Sequence, residues 1–220
     1  MRHKLFLFLI VTIWQYSYAQ FSNVKKGDIL DINGTKGIVF SVNEEGNHGT
    51  VMSVKAFRGE KNLFCSKSSY LKDVKMNDEN DGKKNTTALF NHASSKHIIL
   101  AEFPVFKWCK TLGKGWYIPS VEQLKVFVNF WLGNEVEEEN WDEDETTLVE
   151  KEISHKTKIN NTLLESGGIP FLNGVFTSTV GDDGKILVFQ YDRKKDFWQF
   201  LHVNPMKIDK NCVGRAFYDF

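Results

Sequence analysis

The chain has 220 residues, and its 28 Lys and Arg are balanced by 28 Asp and Glu, so the formal net charge is zero. A balanced chain sets up no global field toward nucleic acid or anionic lipid, and neither is expected as a partner. With 41% hydrophobic and 14% aromatic residues, the apolar material suffices for a core, and the length fits one large domain.

The N-terminus reads as a targeting segment. Arg2, His3 and Lys4 are basic, and Leu5 to Trp14 is an apolar run of about ten residues, well short of the roughly 20 that span a bilayer. Ser17 and Ala19 put small residues at the −3 and −1 positions of a cleavage site. The expectation is a secretory signal peptide over residues 1–19, cut before Gln20. Residues 20–220 then form an exported domain in the periplasm, at the cell surface or in the medium. The competing reading is an N-terminal membrane anchor, which the break in the apolar run from Trp14 to Tyr18 disfavours. A lipid anchor needs Cys just after the cut, and Gln20 stands there. No later stretch is apolar enough to cross a membrane.

Strand signals come first in the domain. "DILDI" ends at Asn33-Gly34, a strong hairpin signal, "KGIVFSV" follows, and the polar turn "NEEGNHG" leads to "TVMSVKAF". This is a three-strand meander over residues 28–56. Residues 58–86 are polar and read as loop. Within them "NDENDG" fails as an EF-hand loop: with Gly82 at position 6, the position that needs Glu is Ala88.

Helices follow. Thr86 to Ala93 is a short one. A second starts near Pro104, where proline suits the first turn, and ends at Leu112 with Gly113 as its stop. A third has Ser120 as N-cap with Gln123 as its capping-box partner. Val121, Leu124, Phe127, Val128 and Trp131 make its apolar face. Residues 135–145 then hold eight carboxylates and no Lys or Arg, leaving a surplus of eight positive charges on the remainder. Such a run repels itself and favours an extended, solvated loop, set at residues 133–155. A cation site there is the alternative, but the run has no glycine to build the turns a hard-cation cage needs. "KTKINNTLLESGG" gives a short fourth helix. Strands return in "GVFTSTV", "KILVFQYD", "DFWQFLHV" and "CVGRAFYDF", with "GDDG" and "RKK" as turns. The order is an α+β pattern of antiparallel sheets, two to four helices and long loops, with N- and C-terminal strands pairing.

Chemistry is harder to find. Cys109 lies among Phe103, Phe106, Trp108 and Leu112, surroundings that raise a thiol pKa and silence it as a nucleophile. His92 and His97 are five apart, which on one helix puts them on different faces. There is no G-x-S-x-G elbow, and "LGKGW" lacks the third glycine of a dinucleotide loop. No catalytic residue, metal ligand or cofactor is assigned, and the chain is expected not to be an enzyme. Cys65, Cys109 and Cys212 are too few for a disulfide scaffold and odd in number; one bridge plus a thiol and three thiols both fit. Aromatics crowd the later half. Trp198 in a strand, with Tyr191 and Arg193 nearby, suits stacking on a sugar or docking a partner, so these three residues are the expected ligand-binding set.

Four segments carry a resemblance: "GIVFSV…GTVMSV", "FKWCKTLGKGWYIPSVEQL", "GGIPFLNGVFTSTV" and "VGRAFYDF". Together they resemble secreted Bacteroidota-type proteins with a C-type-lectin-like fold, specifically Lcl C-terminal-type domains and, more distantly, the formylglycine-generating-enzyme-like group. Trp108, Trp116 and Pro119 belong to the structural signature. The resemblance implies a C-type-lectin-like fold over roughly residues 27–220 and, if a bridge exists, the pair Cys109–Cys212. It does not bring the family's chemistries. The calcium-dependent sugar tripeptide is missing, since the nearby proline stands in Ile169-Pro170-Phe171. Cys212 has no late partner for formylglycine formation, and the His/His/Glu iron motif is absent. The expected function is an exported, non-enzymatic binding or surface-interaction domain for a protein or glycan. A structural component of an envelope assembly and an enzyme of unrecognised type are the alternatives. An exposed aromatic patch favours the first, a long unpaired apolar strand edge the second, and a pocket of His, Cys and carboxylates the third.

Overall fold

Strands β1 (Ile29–Ile32), β2 (Thr35–Val42) and β3 (Gly49–Ser53) form the expected meander, each antiparallel to the next. A computed structural model describes residues 21–59, 64–134, 145–171, 174–192, 197–206, 208 and 212–220, excluding the side chains of residues 145–149, 191, 192, 197 and 198. The first reversal is fixed locally: Asn33 and Gly34 have φ of 53° and 88°, both positive as a type I′ turn requires, and Gly34 N donates to Asp31 Oδ1 at 2.6 Å.

The last strand, β7 (Phe217–Asp219), pairs antiparallel with β3, giving a first sheet ordered β1-β2-β3-β7. The C-terminal strand thus joins the N-terminal meander, but beside its third strand. This sheet is covered on both faces, which is why "GIVFSV" and "VMSV" are continuous apolar runs rather than alternating ones. Ile38, Phe40, Met52 and Phe217 enter one buried cluster with Tyr117, Leu124, Phe127 and Phe171; Val39 and Val51 enter another with Phe64, Phe103, Phe106, Cys109 and Trp116.

Four helices are present among the described residues: α1 (Gly82–Ser95), α2 (Pro104–Thr111), α3 (Val121–Leu132) and α4 (Glu145–Glu165). Pro104 opens α2, and Gly113 follows its end at φ +121°. Ser120 and Gln123 form the capping box of α3, and Leu124, Phe127, Val128 and Trp131 are buried as expected. Two boundaries differ from expectation. α1 begins at Gly82 rather than Thr86, because Asp81 is its N-cap and accepts from Lys84 N at 2.8 Å. α4 begins at Glu145 rather than Lys156, so residues 145–155 of the expected acidic loop are helical. There acidic and basic residues come at helical spacing, as in the Glu152–Lys156 pair at 2.6 Å, and Ile159 and Leu163 bury the following turns. Residues 135–144, the heart of the acidic run, lie outside the described residues.

The second sheet is a separate antiparallel unit ordered β4-β5-β6, from β4 (Val175–Val180), β5 (Ile186–Asp192) and β6 (Phe197–Val203). "GDDG" is the β4–β5 turn, with Gly181 N donating to Lys185 O at 2.8 Å.

A buried polar network ties this sheet to the helices. Asn85, Thr86, Ser120, Thr177, Ser178 and Thr179 are each at most 2% exposed, and all of them are hydrogen-bonded. Asn85 donates to Asp78 O at 2.7 Å and to Ser178 Oγ at 3.3 Å. Ser178 donates from both N and Oγ to Pro119 O, at 2.7 and 3.1 Å. The segment Ile118–Ser120 is thereby clamped between α1 and β4, and a satisfied network of this kind specifies one arrangement of the elements around it. Gly82 sits against the same segment. A Cβ there would run into Ile118 O and lie 2.5 Å from Ser120 N, both backbone atoms that cannot yield. Gly82→Ala is expected to lose about 2–3 kcal/mol in urea unfolding, the upper range for overpacking. An unchanged midpoint would show that the clamp is looser than described.

Candidate functional site

The thiols are the first place to look for chemistry. Cys65 and Cys109 are fully buried, and Cys212 is 2% exposed. Burial pushes the Cys65 thiol up to about 12, partly relieved by the Lys67 backbone N–H, and drives Cys109 higher still. A buried thiol without a thiolate-stabilising neighbour is not a nucleophile. The pairing of Cys109 with Cys212 is not made, because all three cysteines are thiols. Cys109 packs in the Phe64–Phe106 cluster, and Cys212 Sγ lies 3.7 Å from Gln190 Oε1 on β5.

Tyr117 is another perturbed acid. Its OH donates to Asp219 Oδ1 at 2.7 Å and accepts from Gln123 Nε2 at 3.1 Å, and Thr50 Oγ1 donates to the same Asp219 oxygen at 3.1 Å. Burial first, then the Asp219 charge, raise the phenol above its ordinary value. The group ties the 117 segment to the last strand and resists ionisation.

These shifts set a pH dependence. A thiol ionises near pH 9 in the unfolded chain and much higher when folded, so its stabilising contribution is complete below pH 9 and is lost as pH rises toward 12. Tyr117 adds in the same direction above pH 10. Arg215, which burial brings down to about 9, acts oppositely, gaining stability from about pH 9 upward. One opposing group does not offset two thiols and a phenol. Stability is expected to fall by about 2 kcal/mol per pH unit between pH 9.5 and 10.5. Urea midpoints measured across pH 8 to 10.5 check this, and a flat profile would refute it.

Among the described residues, the outer strand of the second sheet is a continuous surface feature. β6 pairs with β5 over all seven of its residues without a register shift, from Ile186↔Val203 to Asp192↔Phe197. Phe200, Leu201 and Val203 are half-buried and His202 is exposed. Phe200 packs its ring 5.1 Å from Phe189, with Lys125 Nζ 5.8 Å above it. At the upper end of the strand, Asp183 is held below its ordinary carboxyl range by the hydrogen bond from Lys185 and stands 3.9 Å from His202 Nδ1.

Of the expected ligand set, Tyr191 and Trp198 are opposite each other in the β5–β6 register. Their side chains, and all of Arg193, lie outside the described residues. Of the signature residues, Trp116 is 5% exposed against Tyr218, Pro119 is buried, and Trp108 is half-buried, 5.9 Å from Phe57. The buried polar residues were missed in the sequence. Asn85 facing inward from a helix, and the hydroxyl run Thr177-Ser178-Thr179 in a strand, were the available signals.

Among the described residues, no three His, Cys, Asp or Glu side chains gather as metal ligands, and no helix is long and apolar enough to cross a membrane. The fold and surface define an α+β domain of two antiparallel sheets and four helices among the described residues. Compared with protein-family models, curated proteins and solved structures, the chain finds no match in any of the three.

Proposed function

We propose that this chain is an exported binding or surface-interaction domain of C-type-lectin-like type, acting by contact on a protein or glycan and not by bond chemistry. One observation carries the reading: the seven-residue outer strand β6, free of charged residues, in full register with β5 and lined by half-buried Phe200, Leu201 and Val203. An outer strand of this kind is a template for a partner. Tyr191 and Trp198 are register partners in β5 and β6, and Arg193 comes two residues after Tyr191 in the sequence, so the expected ligand set adjoins this strand in the chain. The lectin-like assignment draws support from the order of strands, helices and strands, and from the last strand's return to the meander. Export draws support from residues 1–19. The buried, raised thiols of Cys65 and Cys109 weigh against an enzyme built on cysteine. A structural component of an envelope or surface assembly is the second reading, favoured by the same strand.

A glycan array and a pull-down from envelope extract test the reading, with Trp198→Ala as the comparison. A ligand retained by the native chain and lost by the variant is expected; no ligand in either assay would overturn it. Mass measurement of the protein from its own cells tests export, with Gln20 as the expected first residue.

A further inference from the structure

Three Asn-X-Thr triplets occur in the chain: Asn33-Gly34-Thr35, Asn85-Thr86-Thr87 and Asn160-Asn161-Thr162. In an exported protein such a triplet is an acceptor for an N-linked glycan, provided that its asparagine stands at the surface. The fold separates the three. Asn85 is fully buried and donates its amide to Asp78 O and Ser178 Oγ. Asn160 is half-buried in α4, and its side-chain oxygen accepts from Phe171 N at 2.8 Å. Asn33 alone of the three is exposed. It sits at the tip of the β1–β2 hairpin, where the turn is held by the bond from Gly34 N to Asp31. A Cβ at Gly34 would meet nothing within 4 Å, so the tip has open space around it.

We propose that Asn33 is an N-glycosylation site, taking an oligosaccharide from a polyisoprenyl-diphosphate donor. This rests on the reading of the chain as exported, since donor and transferase act across the membrane. In the step, the Asn33 amide nitrogen bonds to the anomeric carbon of the first sugar. The bond from that carbon to the diphosphate oxygen breaks, and the lipid diphosphate leaves with the electron pair. One amide proton passes to a base of the transferase, and nothing is oxidised or reduced. Thr35 supplies the hydroxyl of the triplet. In the fold that hydroxyl donates to Leu112 O at 3.0 Å, a bond across 77 residues of chain, so the transfer comes before this bond is made. At that stage all three triplets are accessible, and charge separates them. Asp31 stands two residues before Asn33, whereas Lys83 and Lys158 stand two before Asn85 and Asn160. A transferase that holds a diphosphate has an electropositive site, which attracts the carboxylate and repels the lysines. A glycan at Asn85 would also bar the chain from folding, because that amide is enclosed. One at the hairpin tip displaces no buried contact.

The test is peptide mass spectrometry on the full chain purified from its own cells. Trypsin cuts after Lys26 and Lys36 and so isolates residues 27–36. This peptide is expected to be heavier by a whole number of sugar residues, with fragment ions that locate them on Asn33. The peptides carrying Asn85 and Asn160 are expected at their unmodified masses. Asn33→Asp, which keeps a residue that tolerates the left-handed turn, is expected to lose the added mass completely. Thr35→Val is expected to lose it as well, and Thr35→Ser to retain it. Residues 27–36 at their unmodified mass in the native chain overturn the proposal. So does a glycan that survives Thr35→Val, or one that stands on Asn85 or Asn160 instead. The native chain decides by itself, so a variant that fails to fold does not blunt the test. The first residue of the same sample reads export separately. Gln20 with an unmodified hairpin peptide overturns the glycan and leaves export standing, while Met1 with an unmodified peptide overturns both.

Discussion

Replacing Arg215 by methionine is expected to cost the fold about 3 kcal/mol, the balance of lost charge-assisted hydrogen bonds and a relieved desolvation penalty. The side chain is fully buried in the closing "VGRAFYDF" segment. Its guanidinium donates to Ser53 O and Val54 O at 3.0 and 2.7 Å, and to Ile169 O and Pro170 O at 2.7 and 3.4 Å. All four acceptors are backbone carbonyls, and Nε has no partner among the described residues. Burial brings the pKa down to about 9, which still leaves the group charged at pH 7. A buried cation solvated by carbonyl dipoles is costly to assemble, yet costly to remove, because methionine leaves those carbonyls unsatisfied. Arg215→Lys is expected to be no better, since an ammonium cannot reproduce the planar fork that spans two separate chain segments. Urea unfolding of both variants checks this. Native stability in Arg215→Met would mean that desolvation outweighs the four hydrogen bonds.

Trp116→Ala is expected to lose about 3–5 kcal/mol, the usual cost of emptying a buried tryptophan site. Trp116 is 5% exposed, lies in the cluster of Phe103, Phe106 and Cys109, and sets its ring 5.5 Å from Tyr218. Its backbone leads directly into Tyr117, which bonds the last strand. Trp108, the other tryptophan of the same segment, is half-buried against Phe57, and its alanine variant should cost clearly less. Equal losses would show that both residues act through helix α2 and not through burial. A Trp116→Ala chain as stable as the native one would remove this residue from the core.

What the sequence disclosed was what short-range chemistry dictates. Asn33-Gly34 sets its own backbone, Ser120 and Gln123 cap each other three residues apart, and Pro104 needs no partner to open a helix. The start of α1 was obscured because Gly82 looks like a helix breaker until the backbone of residues 118–120 is placed against it. The start of α4 was obscured by the charge density just before it. Arg215 was invisible because its four acceptors come from residues 53, 54, 169 and 170, which nothing local connects. The disulfide expectation came from resemblance alone; Cys109 and Cys212 share one buried cluster but are thiols.

The placement of β7 also governs when the chain can fold. Val213 and Ala216 belong to two buried clusters, Phe217 to the larger aromatic one, and Thr50 reaches Asp219 across 169 residues of chain. Neither core can close until the final residues are available, so synthesis from the N-terminus yields a meander with an open flank and a long wait. Closure over so great a sequence separation is slow. Until β7 is in place, that flank depends on protection.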